Sequence, residues 1–404
     1  MPAAYRTRDP PATFTGKPNL LVAAWYALIV LLVMLAWLAL MLVQARGQRH
    51  AAHAPPMAGP WPSISIIVPA MNEEDTIQPA MRTLMALDYP NLQVVAVDDR
   101  STDATGAILD RLALEFPDRL RVSHITELPS GWLGKCNALQ HGAALATGSW
   151  LLFTDADVLF RPATLRGAMA YAVEHEADHV VYFPRMLWQG IIEASLLSFF
   201  SMVFTLGFQT WRAESASRRA YVGVGAFNLV RRATYDRFGG HRALRLEVAD
   251  DLMLGYLVKK HGGRTLAVNA GEDVCVRWRL GARDTVRGLE RSGFAGLGFS
   301  IVRVAGTVAG TIGVLLAPYI LPFIAPVPQV VIPSIAAIGA IVAAYGVNRR
   351  VQHFPVWIGL LHPVACVLFI YAFVRSAVMT SIRGGLSWRG TFYSIAELKA
   401  GRVR

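Results

Sequence analysis

Asp155 and Asp157 stand one residue apart at the end of the apolar run LLFTDADVLF, Leu151 to Phe160. Two carboxylates closing a buried strand are costly unless a cation neutralises them. That cation could be a neighbouring Lys or Arg, or a metal ion. Three other clusters offer matching chemistry: VDDRSTD with Asp98 and Asp99, GWLGKCNAL with Lys135, and EVADDLMLG with Glu247, Asp250 and Asp251. An acid pair at a strand end suits Mg2+, which takes hard oxygen ligands and is usually held by one or two carboxylates plus phosphate oxygens. Lys135 could place positive charge on the same phosphates, leaving Asp251 free as a general base. Metal, phosphate clamp and base together describe transfer of an activated group from a nucleotide.

Other patterns carry less. HEADH, His175 to His179, fits the H-E-x-x-H zinc-protease spacing, in which two imidazoles share one helical face. HVVYF begins a strand-like run, so the helix is expected to end inside the motif and the rings to lose alignment. GWLGK lacks the G-x-x-x-x-G-K-[ST] spacing of a Walker loop. Asp98, beside Ser101 and Thr102, could instead cap the next helix. Cys136, Cys275 and Cys366 are scattered and odd in number, which argues against a disulfide framework or a Cys-based zinc site.

The elements that must position the acids form a regular series. SISIIVPA, LQVVAVDD, LRVSHI and WLLFTDAD read as strands. Helical stretches are expected over Glu74–Leu87, from near Thr102, and over Ala138–Ala146. Strands alternating with helices predict βαβ units and a mostly parallel sheet, hence an α/β fold. Ligands of such sheets sit at the carboxyl ends of the strands, where NEE, DDRSTD and DAD lie.

Composition adds a membrane. The apolar share is 54%, above the roughly 45–50% of soluble domains. Residues 19–43 form an uncharged apolar stretch long enough to span a bilayer, after a tail at 1–18 and before a Pro-rich linker at 44–62. The catalytic region is expected over 63–290. Apolar segments, two or three in number, recur over 295–382, and a basic tail closes the chain at 383–404. The net charge of +11 fits anionic lipid headgroups and anionic substrates. Nothing resembles a nucleic-acid module with aromatic platforms. The uncharged stretch Ala194–Trp211 could be read as another span. A single crossing there would put Asp155 and Asp251 on opposite sides of the bilayer, so a helix near 190–211 is expected to lie in the interface.

Taken together, IIVPAMNEE, VDDRSTD, PSGWLGKCNAL, TDAD and ADD, in this order, resemble a membrane-anchored family 2 glycosyltransferase with the GT-A fold. Within that family the set is similar to enzymes that glycosylate lipids, of hopanoid-associated, carotenoid and ceramide type. VRWRLG resembles a shortened Q/R-x-x-R-W motif. GGLSWRGTFY resembles the W-[KR]-G-R-x-Y element that follows the last span, with Thr391 in place of its second basic residue. The resemblance implies that Pro69, Ala70, Glu73, Asp98 and Asp99 contact the nucleoside and that Asp155 lies at the ribose or diphosphate. It implies further that Asp155 and Asp157 hold Mg2+ or Mn2+, and that Lys135, Arg277, Trp278 and Arg279 serve the nucleotide-sugar. Asp251, with Asp250 as runner-up, would deprotonate the acceptor, giving inversion at the sugar carbon.

The expected activity is transfer of one sugar from a nucleotide-sugar, a UDP-hexose by resemblance, to a lipid hydroxyl at the cytoplasmic face of the cell (inner) membrane. The absent Gln of the processive enzymes favours single transfer over a polysaccharide synthase. A transporter would need charged groups along an intramembrane path, and the apolar segments offer only His362 and Arg375. A zinc protease through His175 and His179 is the remotest alternative. Arg383, Arg389, Lys399, Arg402 and Arg404 place the tail on the cytoplasmic side by the positive-inside rule. An odd number of C-terminal crossings conflicts with that, making the segment at His362–Pro363 a candidate for a re-entrant or interfacial helix. Arg6, Arg8 and Lys17 ahead of the first span add a further conflict.

Overall fold

Runs of β-branched residues build the centre of the molecule. The computed structural model describes residues 20–57, 59–278 and 281–403. The tail bearing Arg6, Arg8 and Lys17, together with Arg279 and Arg404, lies outside the described residues. An apolar helix, α1 (Leu20–Gly47), leads into a short strand, β1 (Arg49–His50). The αβ series follows as β2 (Ile64–Ala70), α2 (Ile77–Met85), β3 (Leu92–Asp99), α3 (Thr105–Glu115), β4 (Leu120–Ile125), α4 (Gly134–Leu145) and β5 (Trp150–Phe153). Then come β6 (Val158–Phe160), α5 (Thr164–Glu174), β7 (His179–Met186), α6 (Ile191–Phe208), β8 (Asn228–Arg231), α7 (Arg232–Arg237), α8 (Asp250–Lys260) and β9 (Thr265–Val276).

The nine strands form one sheet in the order β1-β9-β7-β8-β5-β2-β3-β4, with β6 added on β9. Pairs β2–β3, β2–β5, β3–β4, β7–β9 and β1–β9 are parallel; β5–β8, β7–β8 and β6–β9 are antiparallel. Every residue of β2 is buried, as a strand covered on both faces requires. Ile66 and Val68 point to the layer of α2, α3 and α5, while Ile67 points to Leu139 of α4 and Leu254 of α8. That alternation is the period-2 geometry of a strand.

Two expectations need correction. The strand WLLFTDAD stops at Phe153, and Asp155 and Asp157 occupy the turn before β6. The strand breaks because Thr154 donates its hydroxyl to the Ala226 carbonyl (2.8 Å) and the Asp155 N–H turns to the Gly225 carbonyl (3.0 Å). The helix expected from Ala138 begins at Gly134, which puts Lys135 in its first turn.

HEADH does not present two imidazoles on one face. α5 ends at Glu174, Glu176 takes a left-handed φ of 48°, and His179 opens β7. His179 is fully buried against Asn228 (3.0 Å) and Thr265 (3.2 Å), and burial lowers its pKa to about 4. A histidine held neutral in the fold but free to protonate when unfolded lowers stability as pH falls below its ordinary value of 6.5. The effect is roughly 3 kcal/mol once pH reaches the folded pKa, at about 1.4 kcal/mol per unit. Opening free energies of β7 and β8 from hydrogen exchange should therefore decline from pH 6.5 towards 4.5. His179→Gln should flatten that decline.

The C-terminal part is helical: α9 (Gly281–Gly296), α10 (Ile301–Gly310) continuing through a π-helical turn into α11 (Ala317–Ile324), α12 (Pro328–Gln352) and α13 (His362–Arg383). A hairpin, β10 (Gly385–Trp388) and β11 (Thr391–Ser394), and α14 (Ile395–Ala400) end the chain. Among the described residues five helices are long and apolar enough to cross a membrane: 20–47, 191–208, 301–324, 328–349 and 356–383. α1, α11, α12 and part of α6 share one apolar cluster around Met34, Trp37, Leu197, Ile341 and Tyr345.

Candidate active site

Two separate elements, the turn after β5 and the start of α8, deliver carboxylates to one lysine. Lys135 Nζ lies 2.7 Å from Asp155 Oδ1 and 3.7 Å from Asp250 Oδ1. Burial alone would lower the ammonium pKa, but Asp155, Asp250 and Asp251 outweigh it and raise it above its ordinary value. A single peptide then ties the two acid clusters together. The Gly225 carbonyl accepts from the Asp155 N–H, and the Gly225 N–H donates to Asp251 Oδ2 at 2.7 Å. A Cβ on Gly225 would stand 2.4 Å from Asp155 Oδ2, so this approach requires glycine. Across the same loop, a Cβ on Gly255 of α8 would stand 1.8 Å from the Val222 carbonyl, which sets how closely α8 packs.

Asp250 and Asp251 are the first residues of α8, where helix N–H groups favour negative charge. Asp251 Oδ1 accepts from the Leu252 N–H at 2.7 Å. Burial nevertheless raises the pKa of Asp251, and it pushes Asp250 up to about 7, with Lys135 pulling the other way in both. The two acids face different spaces. Asp250 lines a small void of about 10 Å³ with Lys135, Asp155 and His241. Asp251 lines that void and also a second cavity of about 220 Å³. Asp155 and Asp157 line the larger cavity too, beside Phe200, Phe204, Trp278 and Gln352.

Asp157 has its pKa pushed up to about 7, first by burial and then by the charges of Asp155 and Glu73. Here hard oxygen donors converge with too little positive charge among them, which suits a divalent cation. Among the described residues no group of three or more His, Cys, Asp or Glu is arranged to hold a metal. Asp155 and Asp157 supply two carboxylates, which is the protein share of a Mg2+ site completed by phosphate and water. The residues present fit such an ion.

The expected nucleoside residues cluster at the ends of β2 and β3. Pro69 and Ala70 close β2 and pair with Val97 and Asp98. Glu73 follows, its N–H donating to Thr105 Oγ1 (2.8 Å) and its Oε2 accepting from Thr76 (2.9 Å); burial raises its pKa. Asp98 accepts from the Ser101 N–H (3.3 Å) and meets His124 Nδ1 at 2.9 Å. Asp99 is fully buried, 2.8 Å from Arg100 Nε and 3.5 Å from Arg389 Nη1. The structure does not bring Arg277 to the acids. It lines neither cavity, and its Nε is buried without a hydrogen-bond partner among the described residues. Trp278 reaches the larger cavity, stacked on Phe200 at 4.9 Å.

Arg389, Gly225 and Asn228 were not singled out from the sequence. Arg389 sits in SWRGTFY, the one local signal available, yet its meeting with Asp99 spans most of the chain. The hairpin that carries it is pinned by Tyr393, whose hydroxyl donates to the Trp132 carbonyl at 2.9 Å. Beside it an open cleft of about 750 Å³ runs from Met71 and Glu73 past Arg287, Arg291, Arg383 and Arg389. Asn228 donates to the Asp251 carbonyl (3.3 Å) and links the acid helix to buried His179.

Comparison with known proteins bears on the family and the fold. Residues 65–238 match the family model for Glycosyl transferase family 2. The chain is 22% identical to the 4,4'-diaponeurosporenoate glycosyltransferase of Staphylococcus aureus over 87% of its own length and 93% of that protein. A segment of 122 residues, 30% of this chain and 46% of the other, is 33% identical to a PGL/p-HBAD biosynthesis glycosyltransferase of Mycobacterium bovis. Among solved structures, the mannosyltransferase PcManGT from Pyrobaculum calidifontis, in complex with GDP-Man and Mn2+, superposes with a TM-score of 0.52 at 20% identity. That match covers 89% of this chain and 99% of the other, and it shows a shared fold.

Proposed function

This chain carries a family 2 glycosyltransferase domain with the GT-A fold, and from that premise we propose that it moves a single sugar from a nucleotide-sugar to a lipid hydroxyl at a membrane surface. One observation carries the reading. The cavity holding Asp155, Asp157 and Asp251 is walled by residues of α1, α6 and α12, the apolar helices, so an acceptor embedded in lipid can reach the acids. A nucleotide-sugar would enter from the opposite, cationic cleft, with its base near Asp98 and Asp99 and its phosphates near Lys135 and Arg389. A UDP-hexose is the donor read from the sequence; the GDP-Man and Mn2+ bound to PcManGT support the nucleotide-sugar class.

Asp155 and Asp157 would hold Mg2+ or Mn2+. When bound, the ion supplies Lewis-acid neutralisation of charge on the departing diphosphate. The chain's own residues do the rest. Lys135, 2.7 Å away, orients Asp155. Asp251, the acid that faces the lipid cavity, takes the proton from the acceptor hydroxyl. Its raised pKa makes it a stronger base than an ordinary carboxylate. Asp250 opens only to the inner void and acts as a charge partner of Lys135. Attack from the Asp251 side, opposite the departing diphosphate, inverts the sugar carbon.

The same geometry orients the membrane helices. α6 cannot cross between Asp155 and Asp251, since both bond the Gly225 peptide; it lies in the interface. Gln48 and Gln352 line the acid cavity, so α1 and α12 end on the catalytic side. α13 starts beside Tyr345, whose hydroxyl meets His362 Nδ1 at 3.2 Å. Tyr345 is only about 10 Å along α12 from Gln352 at 1.5 Å per residue. α13 ends in the hairpin packed on Trp132, so the turn at Val356–Leu361 dips into the bilayer and α13 leads back to the catalytic side. In this reading the basic tail lies on the catalytic side, taken as the cytoplasmic face of the inner membrane.

The test is to incubate membranes containing the full chain with a panel of labelled nucleotide-sugars, then extract the lipids. A single-sugar lipid is expected. Label recovered as a long polymer would support the processive alternative, and label in no lipid product would end the lipid-acceptor reading.

A further inference from the structure

The wall of the acid cavity has a polar feature that the transfer chemistry does not use. Most of that wall is apolar: Phe183, Met186, Phe200, Phe204, Val276 and Trp278. Into it project Gln48 from the end of α1 and Gln352 from the end of α12, and the Oε1 of each is buried with no hydrogen-bond partner among the described residues. Gln352 is 6% exposed. An orphaned buried amide oxygen costs about 1–3 kcal/mol unless something donates to it. Neighbouring Asn348 shows the contrast, because its Nδ2 donates to Ser198 Oγ (3.1 Å) and Ser201 Oγ (3.0 Å).

We infer that Gln48 and Gln352 are specificity-determining residues that hold the hydroxylated polar end of the acceptor, and that the cavity selects an uncharged lipid alcohol over an anionic lipid. The inference rests on the lipid-acceptor reading above and narrows its substrate class. A hydroxyl both donates and accepts, so it satisfies each glutamine whichever way the amide is turned. An ionised carboxylate or phosphate only accepts and would leave the two oxygens orphaned.

The experiment compares three acceptors with one hydrocarbon chain: a long-chain alcohol, its monophosphate and the matching carboxylic acid. Each is presented to the full chain in neutral vesicles with a saturating donor. The alcohol should be glycosylated with a kcat/KM at least about a hundredfold above either anion. Gln352→Leu should lower kcat/KM for the alcohol about tenfold, through KM, as loss of one hydrogen bond to an uncharged group predicts. Gln352→Lys should narrow the gap between alcohol and anion at least about tenfold, an effect that a merely structural glutamine would not produce. Equal use of alcohol and anion, or an unchanged preference in Gln352→Lys, overturns the selectivity while leaving the lipid-acceptor reading intact. If no lipid is glycosylated while the donor is still hydrolysed to water, the reading itself fails and the selectivity with it.

Discussion

Asp251→Asn should cost about a thousandfold in kcat while leaving donor affinity within a factor of about two. General bases contribute roughly 10²–10⁴ in rate, and the amide keeps the shape of the carboxylate without its basicity. The Leu252 and Gly225 N–H groups that now hold the two carboxylate oxygens limit how far the side chain can move in the variant. Transfer to lipid measured beside equilibrium binding of the donor separates the two effects. A loss of donor binding equal to the loss of rate would make Asp251 a structural acid. The pH profile gives a second check. Because burial raises the pKa of Asp251, proton uptake that disables it sets in above the ordinary carboxylate range as pH falls. The acid limb of kcat/KM should therefore lie above the ordinary aspartate value of 3.8, and it should vanish from the residual rate of Asp251→Asn. Asp250→Asn should retain more activity than Asp251→Asn, since Asp250 does not face the acceptor cavity.

Asp157→Asn is expected to be nearly as damaging by another route. Removing one of two carboxylates weakens a hard-ion site, and activity at a fixed Mn2+ concentration should fall at least about a hundredfold. Raising the metal concentration should recover part of it. Paramagnetic resonance of Mn2+ provides a readout that does not depend on turnover: the wild type should bind the ion in the presence of nucleoside diphosphate, and the variant should bind it at least about tenfold more weakly. Folding should not suffer, because Asp157 is buried among acids that already disfavour its charge, and Asn removes that penalty. Equal Mn2+ binding in the two proteins would refute the metal assignment.

The αβ series and its acids were legible because strand periodicity and strand-end carboxylates are local signals. LQVVAVDD ends in its acids at the observed end of β3, and NEE follows β2 directly. WLLFTDAD misled at its end, since the bond from Thr154 to Ala226 that stops β5 comes from a loop dozens of residues away. The start of α4 at Gly134 was hidden for a similar reason. Leu133 precedes it with no capping side chain, and the space for the helix is set by Asp99, 2.4 Å from where a Gly134 Cβ would stand. Arg389 and Gly225 carry no local sign of which acids they meet. Their partners are chosen by the folding of distant segments, which spacing along one sequence does not encode.

The first helix has a consequence that its composition hides. Only Gln48 separates the end of α1 from β1, and β1 is laced into the main sheet by register with Val268 and Asn269 of β9. The anchor is thus a rigid mast, with no slack through which the catalytic head could swivel or lift. If the proposed lipid-acceptor reading holds, the mouth of the site would stay at one height above the lipid carbonyls, and the search for acceptors would be two-dimensional. On that reading, an acceptor whose reactive group lies too deep in the bilayer would pass beneath the same machinery untouched.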